Sequence, residues 1–236
     1  MLKAVLLISL LYFSTLSQGQ QRVIDVGKSD QAVMRAFFAV GGEPFSTTKY
    51  VKVVEGTPYF REEWMRGSLV VSDSMEYVNM RLRLDLLAND VEFIDKKGEI
   101  LIATSSIREI RLVDSLTGNS FRFIHSSAIG GKEIQTGWYQ VLTSGKATLY
   151  KKIHKQLDEN RPYSSATTEQ RISNINQYFI LFNGSFTRVK KIKDVPDLFP
   201  DNKTVLSNFI NSNKLSGKTD SDYISLVNEY NQQASR

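Results

Sequence analysis

The stretch YVNMRLRL, residues 77–84, carries the clearest indication of fold in this 236-residue chain, because apolar and polar side chains alternate along it. Val78 and the apolar residues at positions 80, 82 and 84 fall on one face of an extended strand. We therefore expect one buried face and one wet face. The same two-residue period runs from Lys49 to Lys155, with turn residues at intervals of about eight to twelve positions. This pattern predicts an antiparallel sheet that folds back on itself.

Further strands are predicted on both sides of this stretch. The clearest hairpins surround residues 143–146 and Asn183-Gly184, because Asn-Gly is a strong signal for a tight turn. The polar segment 156–170, which Pro162 interrupts, is expected to be an exposed connection. Residues 31–40 fit a helix or a strand, and both alternatives stay open. The other predicted strands cover residues 50–54, 68–71, 91–94, 100–102, 107–113, 138–142, 147–153, 177–182 and 186–189.

After residue 193 the apolar period changes from two residues to about 3.6, which is typical of amphipathic helices. Asp194 and Asp201 are predicted to cap two short helical segments. Thr219 and Asp222 have the spacing of a capping box, with Asp in place of the usual Glu. We expect the apolar faces of these helices to dock on the sheet, since the helices are too few to build a core of their own.

The sequence predicts a mainly β protein of the α+β class. An antiparallel meander forms a curled sheet or a barrel-like sandwich, and short C-terminal helices dock on it. Three segments are expected: a signal peptide at 1–19, a β-rich domain at 20–193, and a C-terminal helical segment at 194–236 packed on the same domain. A chain of this size buries about 70% of its unfolded surface, which is enough for one substantial core.

The first twenty residues predict export. Lys3 precedes an almost wholly apolar run at residues 4–16, which is shorter than the roughly twenty residues of a spanning helix. Ser17-Gln18-Gly19 has the small-x-small spacing that signal peptidases recognise, so Gln20 is the expected mature N-terminus. An uncleaved anchor is the alternative. No cysteine follows for lipid attachment and no later apolar run is long enough to span a membrane, so we expect a periplasmic or extracellular protein.

The composition excludes several classes of function. The chain has no cysteine, so a disulfide framework, a thiolate metal site and a cysteine nucleophile are excluded. The two histidines, His125 and His154, lack the spacing of a zinc helix, and the chain has no Gly-x-Ser-x-Gly elbow. No catalytic residue, metal ligand or cofactor is therefore assigned from the sequence.

The formal net charge is +5, and its basic excess is concentrated between Lys146 and Lys193, with ten basic residues against three acidic ones. Part of this segment could line a basic strip that meets an anionic envelope polymer or another envelope protein. A solvated strand face is the alternative explanation. Nucleic acid is not expected, because no recognition motif accompanies the charge. The basic strip would comprise Lys151, Lys152, Lys155, Arg188, Lys190, Lys191 and Lys193.

Two groups of acidic residues could take part in chemistry. Glu62-Glu63 stands next to Trp64, and paired carboxylates near an aromatic ring are typical of a glycosidase. Neighbouring strand residues point to opposite faces, however, so these two are not expected to share a site. Asp85 and Asn89-Asp90 are rich in oxygen but lack the ligand series and the glycine of a calcium loop, so we expect a polar turn.

Several aromatic residues could form a sugar-stacking platform, since aromatic faces bury area at low entropic cost and exported proteins often meet glycans. Packing in the core or at a sheet edge is the alternative. Gly41-Gly42 and Gly130-Gly131 do not lead from a strand into a helix, so they are expected to be flexible turns and not phosphate loops. The aromatic residues concerned are Tyr59, Trp64, Trp138 and Tyr139.

The segment GTPYF at residues 56–60, followed by Glu63-Trp64 and Gly67, resembles a segment common among uncharacterised exported bacterial proteins. The C-terminal part is similar to the same proteins in FPDNK at 199–203 and LVNEYN at 226–231. The resemblance implies a cell-envelope or secreted bacterial protein with a β-rich body and a helical tail. That family has no assigned activity, so the resemblance transfers no catalytic residue to this chain.

The sequence favours a non-enzymatic binding or interaction module of the envelope or the extracellular space, because no coherent catalytic set is present. A hydrolase acting on envelope polysaccharide is the alternative from another class, and it predicts two carboxylates about 5 to 10 Å apart in a cleft. An outer-membrane β-barrel is the third hypothesis, although the helical, polar C-terminus takes the place of a closing strand.

Overall fold

A computed structural model of the protein describes residues 21–28, 43–44, 51–72, 75–95, 97–130, 134–161, 163 and 168–234. The expected signal peptide and the segment 31–40 lie outside these residues. Within them, one mixed 13-stranded sheet remains open, and the C-terminal helices pack against it. The predicted fold class is confirmed. Among the described helices, none combines the length and the apolar character that crossing a bilayer requires.

The elements follow one another from an almost entirely β N-terminal part to a helical end. The strands are β1 Arg22–Asp25, β2 Glu43–Pro44, β3 Val51–Glu55, β4 Met65–Ser72, β5 Met75–Leu84, β6 Val91–Ile94, β7 Ile100–Ile102, β8 Glu109–Val113, β9 Ser120–His125, β10 Trp138–Thr143, β11 Ala147–Asn160, β12 Thr168–Phe182 and β13 Ser185–Val189. The α-helices are α1 Lys203–Ser212 and α2 Asp220–Gln233, and short 3-10 helices span Ser126–Ala128, Ile192–Leu198 and Pro200–Asn202.

The strands of the sheet lie in the order β13-β12-β11-β10-β9-β8-β4-β5-β6-β7-β2. Most neighbours are antiparallel, as the meander predicts. Two parallel pairs depart from it, since β1 lies beside β5 and β3 beside β12. The chain also returns from β7 to place β8 along the second edge of β4. The sheet is therefore a meander with one long-range return.

The stretch 77–84 forms most of β5, and the predicted alternation of burial holds over residues 80–84. Asn79 has a positive φ of 59°, and the pairing of β4 with β5 shifts register beside it. An extra residue in one strand reverses which face the preceding side chains occupy. Tyr77 is consequently buried in the core and Val78 only half-buried, which corrects the expected burial of Val78.

The expectation of an exposed connection at residues 156–170 is wrong at both of its ends. β11 continues to Asn160 and β12 begins at Thr168, with Asn160 opposite Glu169 in an antiparallel hairpin. Residues 156–160 of β11 are exposed on both faces, so this polar sequence does not show the alternation of a half-buried strand, whereas Ile172 of β12 is buried. Pairing with β3 gives β12 a second neighbour there.

The sheet buries apolar residues in separate clusters along its length. The first core lies among β4 to β9, and the second lies between β10 to β13 and the helices. A smaller aromatic cluster occupies the opposite face of β10 to β12, because strand residues alternate between faces. The first core includes Leu69, Tyr77, Leu82, Ile110 and Phe123, the second Leu149, Ile180, Phe199, Leu206 and Val227, and the third Tyr139, Tyr150 and Phe179.

The C-terminal helices dock on the sheet as predicted. The side-chain amide of Asn231 in α2 donates to the backbone oxygen of Ala147 at 2.9 Å and accepts from its N–H at 2.8 Å. The ring of Tyr223 stacks on that of Tyr178 with 3.9 Å between centroids. These contacts join α2 to the beginning of β11 and to β12.

Only one of the predicted helix caps forms as expected. Thr219 caps α2 by accepting a 3.3 Å hydrogen bond from the backbone N–H of Asp222. The carboxylate of Asp222 accepts from backbone N–H groups of the loop before the helix, where it closes no capping box. Asp201 lies inside a 3-10 helix and not ahead of one, because Pro200 starts a 3-10 turn that runs directly into α1. Asp194 lies inside the 3-10 helix Ile192–Leu198, where its carboxylate accepts a 3.1 Å hydrogen bond from the backbone N–H of Lys191.

Candidate functional site

A pocket of about 230 Å³ lies where β11 extends past the beginning of β10. β10 starts at Trp138, and the pair nearest to its start joins Gln140 to Lys151 of β11. From Lys151, β11 continues to Asn160. Beyond that pair, side chains from both faces of β11 reach the same opening. We call this opening the lysine pocket, and its walls include Leu86, Leu87, Trp138, Lys152, Ile153 and Lys155.

Lys152 is 8% exposed, and its ammonium group is held by backbone oxygens. Its Nζ donates to the carbonyl of Thr136 at 2.9 Å and to that of Gln135 at 3.4 Å. The same atom lies 5.0 Å from the centroid of the Tyr139 ring, within the range of a cation–π contact. Burial lowers the pKa of the Lys152 ammonium, because leaving water penalises the charged form.

Lys155 is 6% exposed and lies on the other face of β11. Its Nζ donates a 2.8 Å hydrogen bond to the carbonyl oxygen of Thr57 in the GTPYF segment. Burial lowers the pKa of Lys155, and the negative charge of Asp85 opposes that shift. The GTPYF segment therefore forms part of the frame that holds this ammonium in place.

Neither buried lysine forms a salt bridge with a carboxylate among the described residues. An ammonium group has three donors, so the contacts above leave one donor on Lys152 and two on Lys155. Buried charges in proteins are ordinarily paired or hydrogen-bonded. Two ammonium groups whose hydrogen bonds among the described residues go to backbone carbonyls give the lysine pocket a positive charge.

Trp138 forms the wall between the lysine pocket and a second pocket. Its indole N–H donates to the backbone oxygen of Asn89 at 3.1 Å, and its ring meets the edge of His125 with 5.1 Å between centroids. Gly137 has a φ of 127°, and a Cβ there would lie 2.5 Å from Oδ1 of Asn89. Glycine at position 137 thus allows Asn89 to stand against the backbone beside the dividing wall.

The second pocket has a volume of about 260 Å³ and shares Asn89 and Trp138 with the first. We call it the serine pocket. Burial and the nearby charge of Asp85 raise the pKa of the Asp90 carboxyl that lines it. Burial, with the positive charge of Lys152, lowers the pKa of His125. The polar groups of the serine pocket are those of Asn89, Asp90, Ser105, Ser106, His125 and Ser127.

His125 and Ser127 lie within hydrogen-bond distance, with 2.8 Å between Nδ1 and Oγ. The backbone N–H of Ser127 also donates to Nδ1 at 3.3 Å, so this ring nitrogen acts as an acceptor. The pair caps the 3-10 helix Ser126–Ala128. Its geometry is that of a local cap. His154, the other histidine, is exposed at the rim of the lysine pocket.

The structure separates the candidate acidic residues. Glu62 and Glu63 are exposed and precede β4. Asp85 shapes a turn, as expected, by accepting 2.8 Å hydrogen bonds from the backbone N–H groups of Leu87 and Ala88. Asp90 is the single carboxylate along the two pockets in the described part of the chain. That part also contains no group of three or more metal-ligating side chains.

The four aromatic residues do not form one platform. Tyr59 and Trp64 flank the guanidinium of Arg83, whose carbon lies 3.9 and 4.4 Å from the two ring centroids. Trp138 lines the pockets, and Tyr139 is fully buried on the opposite face of the sheet. Core packing therefore accounts for Tyr139. Of the two glycine pairs, Gly130 is described and lies in a connection, and the other three positions fall outside the described residues.

The seven residues of the basic strip do not share one exposed surface. Lys151 faces α2 and forms a 2.8 Å ion pair with Asp220. Lys152 and Lys155 enter the lysine pocket. The remaining four, Arg188, Lys190, Lys191 and Lys193, are exposed after β12.

The sequence identifies Lys152 and Lys155 as members of a basic strip, but it does not predict that both line one pocket. Lys152 and Lys155 are three positions apart, and strand geometry places such residues on opposite faces. The sequence predicts a polar turn at Asn89 and nothing specific at Gly137, so neither residue is recognisable in advance as part of a pocket. Only the unequal lengths of β10 and β11 open an edge where these groups come together.

Comparisons with family models, with curated proteins and with solved structures find no match for this chain.

Proposed function

We propose that the protein is an exported, non-enzymatic binding module that holds an anionic group of an envelope polymer in the lysine pocket. The observation that supports this proposal is the pair of buried ammonium groups of Lys152 and Lys155, which lack carboxylate partners among the described residues. The export part rests on the apolar run and the small-x-small spacing within residues 1–19.

An anion matches the donors that remain. A carboxylate accepts through two oxygens, and the two lysines that line the cavity have three N–H groups beyond the hydrogen bonds described above. Hydrogen bonds to charged groups are worth about 1.5–3 kcal/mol each, more than those between neutral groups. The pocket of about 230 Å³ has room for one sugar-sized unit of a polymer and not for a chain in cross-section.

The number of carboxylates along the two pockets favours binding without catalysis. A glycosidase needs two carboxylates flanking one bond. Asp90 lines the serine pocket, whereas Oδ1 of Asp85 is occupied by two backbone N–H groups of its own turn. The hydrolase alternative therefore has one available carboxylate where it requires two.

The test is isothermal titration of the mature chain with glucuronate and, for comparison, with uncharged glucose. Lys152→Met and Lys155→Met keep the length of the side chain and remove the charge. We expect each to weaken glucuronate binding by about tenfold or more, since 1.4 kcal/mol corresponds to a factor of ten. Lys190→Met, which removes an exposed lysine that does not line the pocket, is the matched control.

The proposal fails if glucuronate and glucose bind alike, or if Lys190→Met weakens binding as much as the two pocket variants. The export part has a separate readout, because mass spectrometry of the protein secreted from a bacterial host should give Gln20 as the first residue. A first residue at Met1 in the exported fraction would contradict cleavage.

A further inference from the structure

The lysine pocket and the serine pocket are neighbours that share Trp138 and Asn89, and we call the two together the cleft. Their volumes of about 230 and 260 Å³ are nearly equal, and each alone is below the range of about 300–1,000 Å³ that small-molecule sites usually occupy. Together they fall within that range. A ligand that fills the cleft therefore has two units of similar size, joined across the edge of Trp138.

The two halves differ in charge. The lysine pocket carries two ammonium groups, whereas the serine pocket carries the carboxyl of Asp90 and uncharged hydroxyl and amide groups. Electrostatic complementarity of this kind fixes the orientation of a ligand more than it raises affinity. The anionic unit belongs in the lysine pocket, and the other unit must be uncharged and rich in donors.

The serine pocket matches the hydrogen-bonding character of a sugar. Ser106 is exposed and offers a hydroxyl that can donate or accept, and Asn89 offers both an amide N–H and a carbonyl. Burial raises the pKa of the Asp90 carboxyl, whose oxygens can accept hydrogen bonds from the hydroxyl groups of a sugar. In the lysine pocket, the C–H face of a sugar ring can pack against the apolar side chains of Leu86 and Leu87.

We infer that the cleft binds an acidic disaccharide unit, with a uronic acid in the lysine pocket and a neutral sugar in the serine pocket. This inference rests on the proposed function and names the ligand class of the same site. It also names the contacts that a single anionic sugar in the lysine pocket cannot make, namely those to Asp90 and Ser106.

The experiment compares two affinities by isothermal titration at one salt concentration: that of glucuronate, and that of glucuronic acid linked to N-acetylglucosamine. We expect the disaccharide to bind at least about tenfold more tightly, the equivalent of one additional good hydrogen bond. Asp90→Asn and Ser106→Ala should bring the ratio of the two affinities down toward one. Ser144→Ala, in the exposed turn between β10 and β11, should leave that ratio as it is.

Three results would overturn the inference. The first is equal affinity for the disaccharide and glucuronate, which leaves the proposed function intact. The second is a ratio that survives both serine-pocket variants. The third is tighter binding of the acidic dipeptide Ala-Glu than of the disaccharide, which would assign a peptide ligand. If glucuronate itself does not bind, the proposed function and the inference fail together. Circular dichroism of each variant establishes that it is folded.

Discussion

Among the turn glycines that the structure describes, Gly56 is the one whose replacement by alanine should destabilise the protein most. Gly56 has a φ of 75°, and a Cβ there would lie 1.9 Å from the backbone oxygen of Ile172, where ordinary contacts begin at 3.4 Å. One of the two backbones must therefore move by about 1.5 Å, far more than a packed interior accommodates without losing contacts. The left-handed conformation adds about 1–2 kcal/mol for a residue with a Cβ.

We expect a loss of about 3–5 kcal/mol in the free energy of unfolding, the upper end of what single substitutions cost. Gly184→Ala separates the two causes. Gly184 has nearly the same φ, 74°, but a methyl group added there would have no other atom within 4 Å, so this variant should cost about 1–2 kcal/mol. Urea unfolding followed by circular dichroism measures both. Equal losses in the two variants would show that the close approach to Ile172 does not matter.

Gly56→Ala should also weaken ligand binding in the fraction that stays folded. The next residue, Thr57, holds the ammonium of Lys155 through its carbonyl oxygen at 2.8 Å. A shift of the backbone at Gly56 moves the carbonyl oxygen of Thr57 and therefore also the ammonium group of Lys155 that it holds. Glucuronate affinity unchanged in Gly56→Ala would contradict this coupling between the GTPYF segment and the lysine pocket.

Three further outcomes follow from the structure. Lys155→Met should leave stability unchanged or raise it by about 1–3 kcal/mol in urea unfolding, because a buried unpaired charge costs more than an apolar group of the same length; a clear loss would mean that the ammonium stabilises the fold. Asn231→Ala should cost about 2–3 kcal/mol, since it removes both hydrogen bonds to Ala147, while a loss under about 0.5 kcal/mol would contradict the docking of α2. Burial raises the pKa of Tyr59 and of Tyr139 to about 12, so the unfolded chain releases these protons first and stability should fall as pH rises from about 10 to 12. An ultraviolet titration that shows all tyrosines ionising near pH 10 in the folded protein would refute that dependence.

Much of the sheet is predictable from local patterns. The alternation after Asn79 and the Asn183-Gly184 turn are confirmed, because the period of side chains and the φ preferences of turn residues act over a few positions. The outer hairpin of β11 and β12 is not predictable in this way, since residues 156–160 of β11 are exposed on both faces and the amphipathic signal vanishes there. Its pairing is decided by a partner strand and not by its own composition.

The site is harder to predict than the fold. The excess of lysine in β11 is visible in the sequence, and it indicates a surface strip, because lysine is rarely buried without a partner. The observed arrangement depends on the loop that supplies the carbonyl of Thr136 and on the GTPYF segment that supplies the carbonyl of Thr57. These acceptors lie 16 and 98 positions from their lysines, and no local pattern relates them.

A β-rich chain with a helical end follows from the order of the amino acids, because periodicity and turn chemistry are properties of short segments. Three features arise only when the chain is folded: β10 stops short of β11, two lysines from opposite faces meet at the open edge, and Trp138 divides the cleft. The physical reason is that the pocket opens where β11 has no strand beside it. Where a strand lacks a neighbour depends on how strands that are distant in the sequence pair with one another.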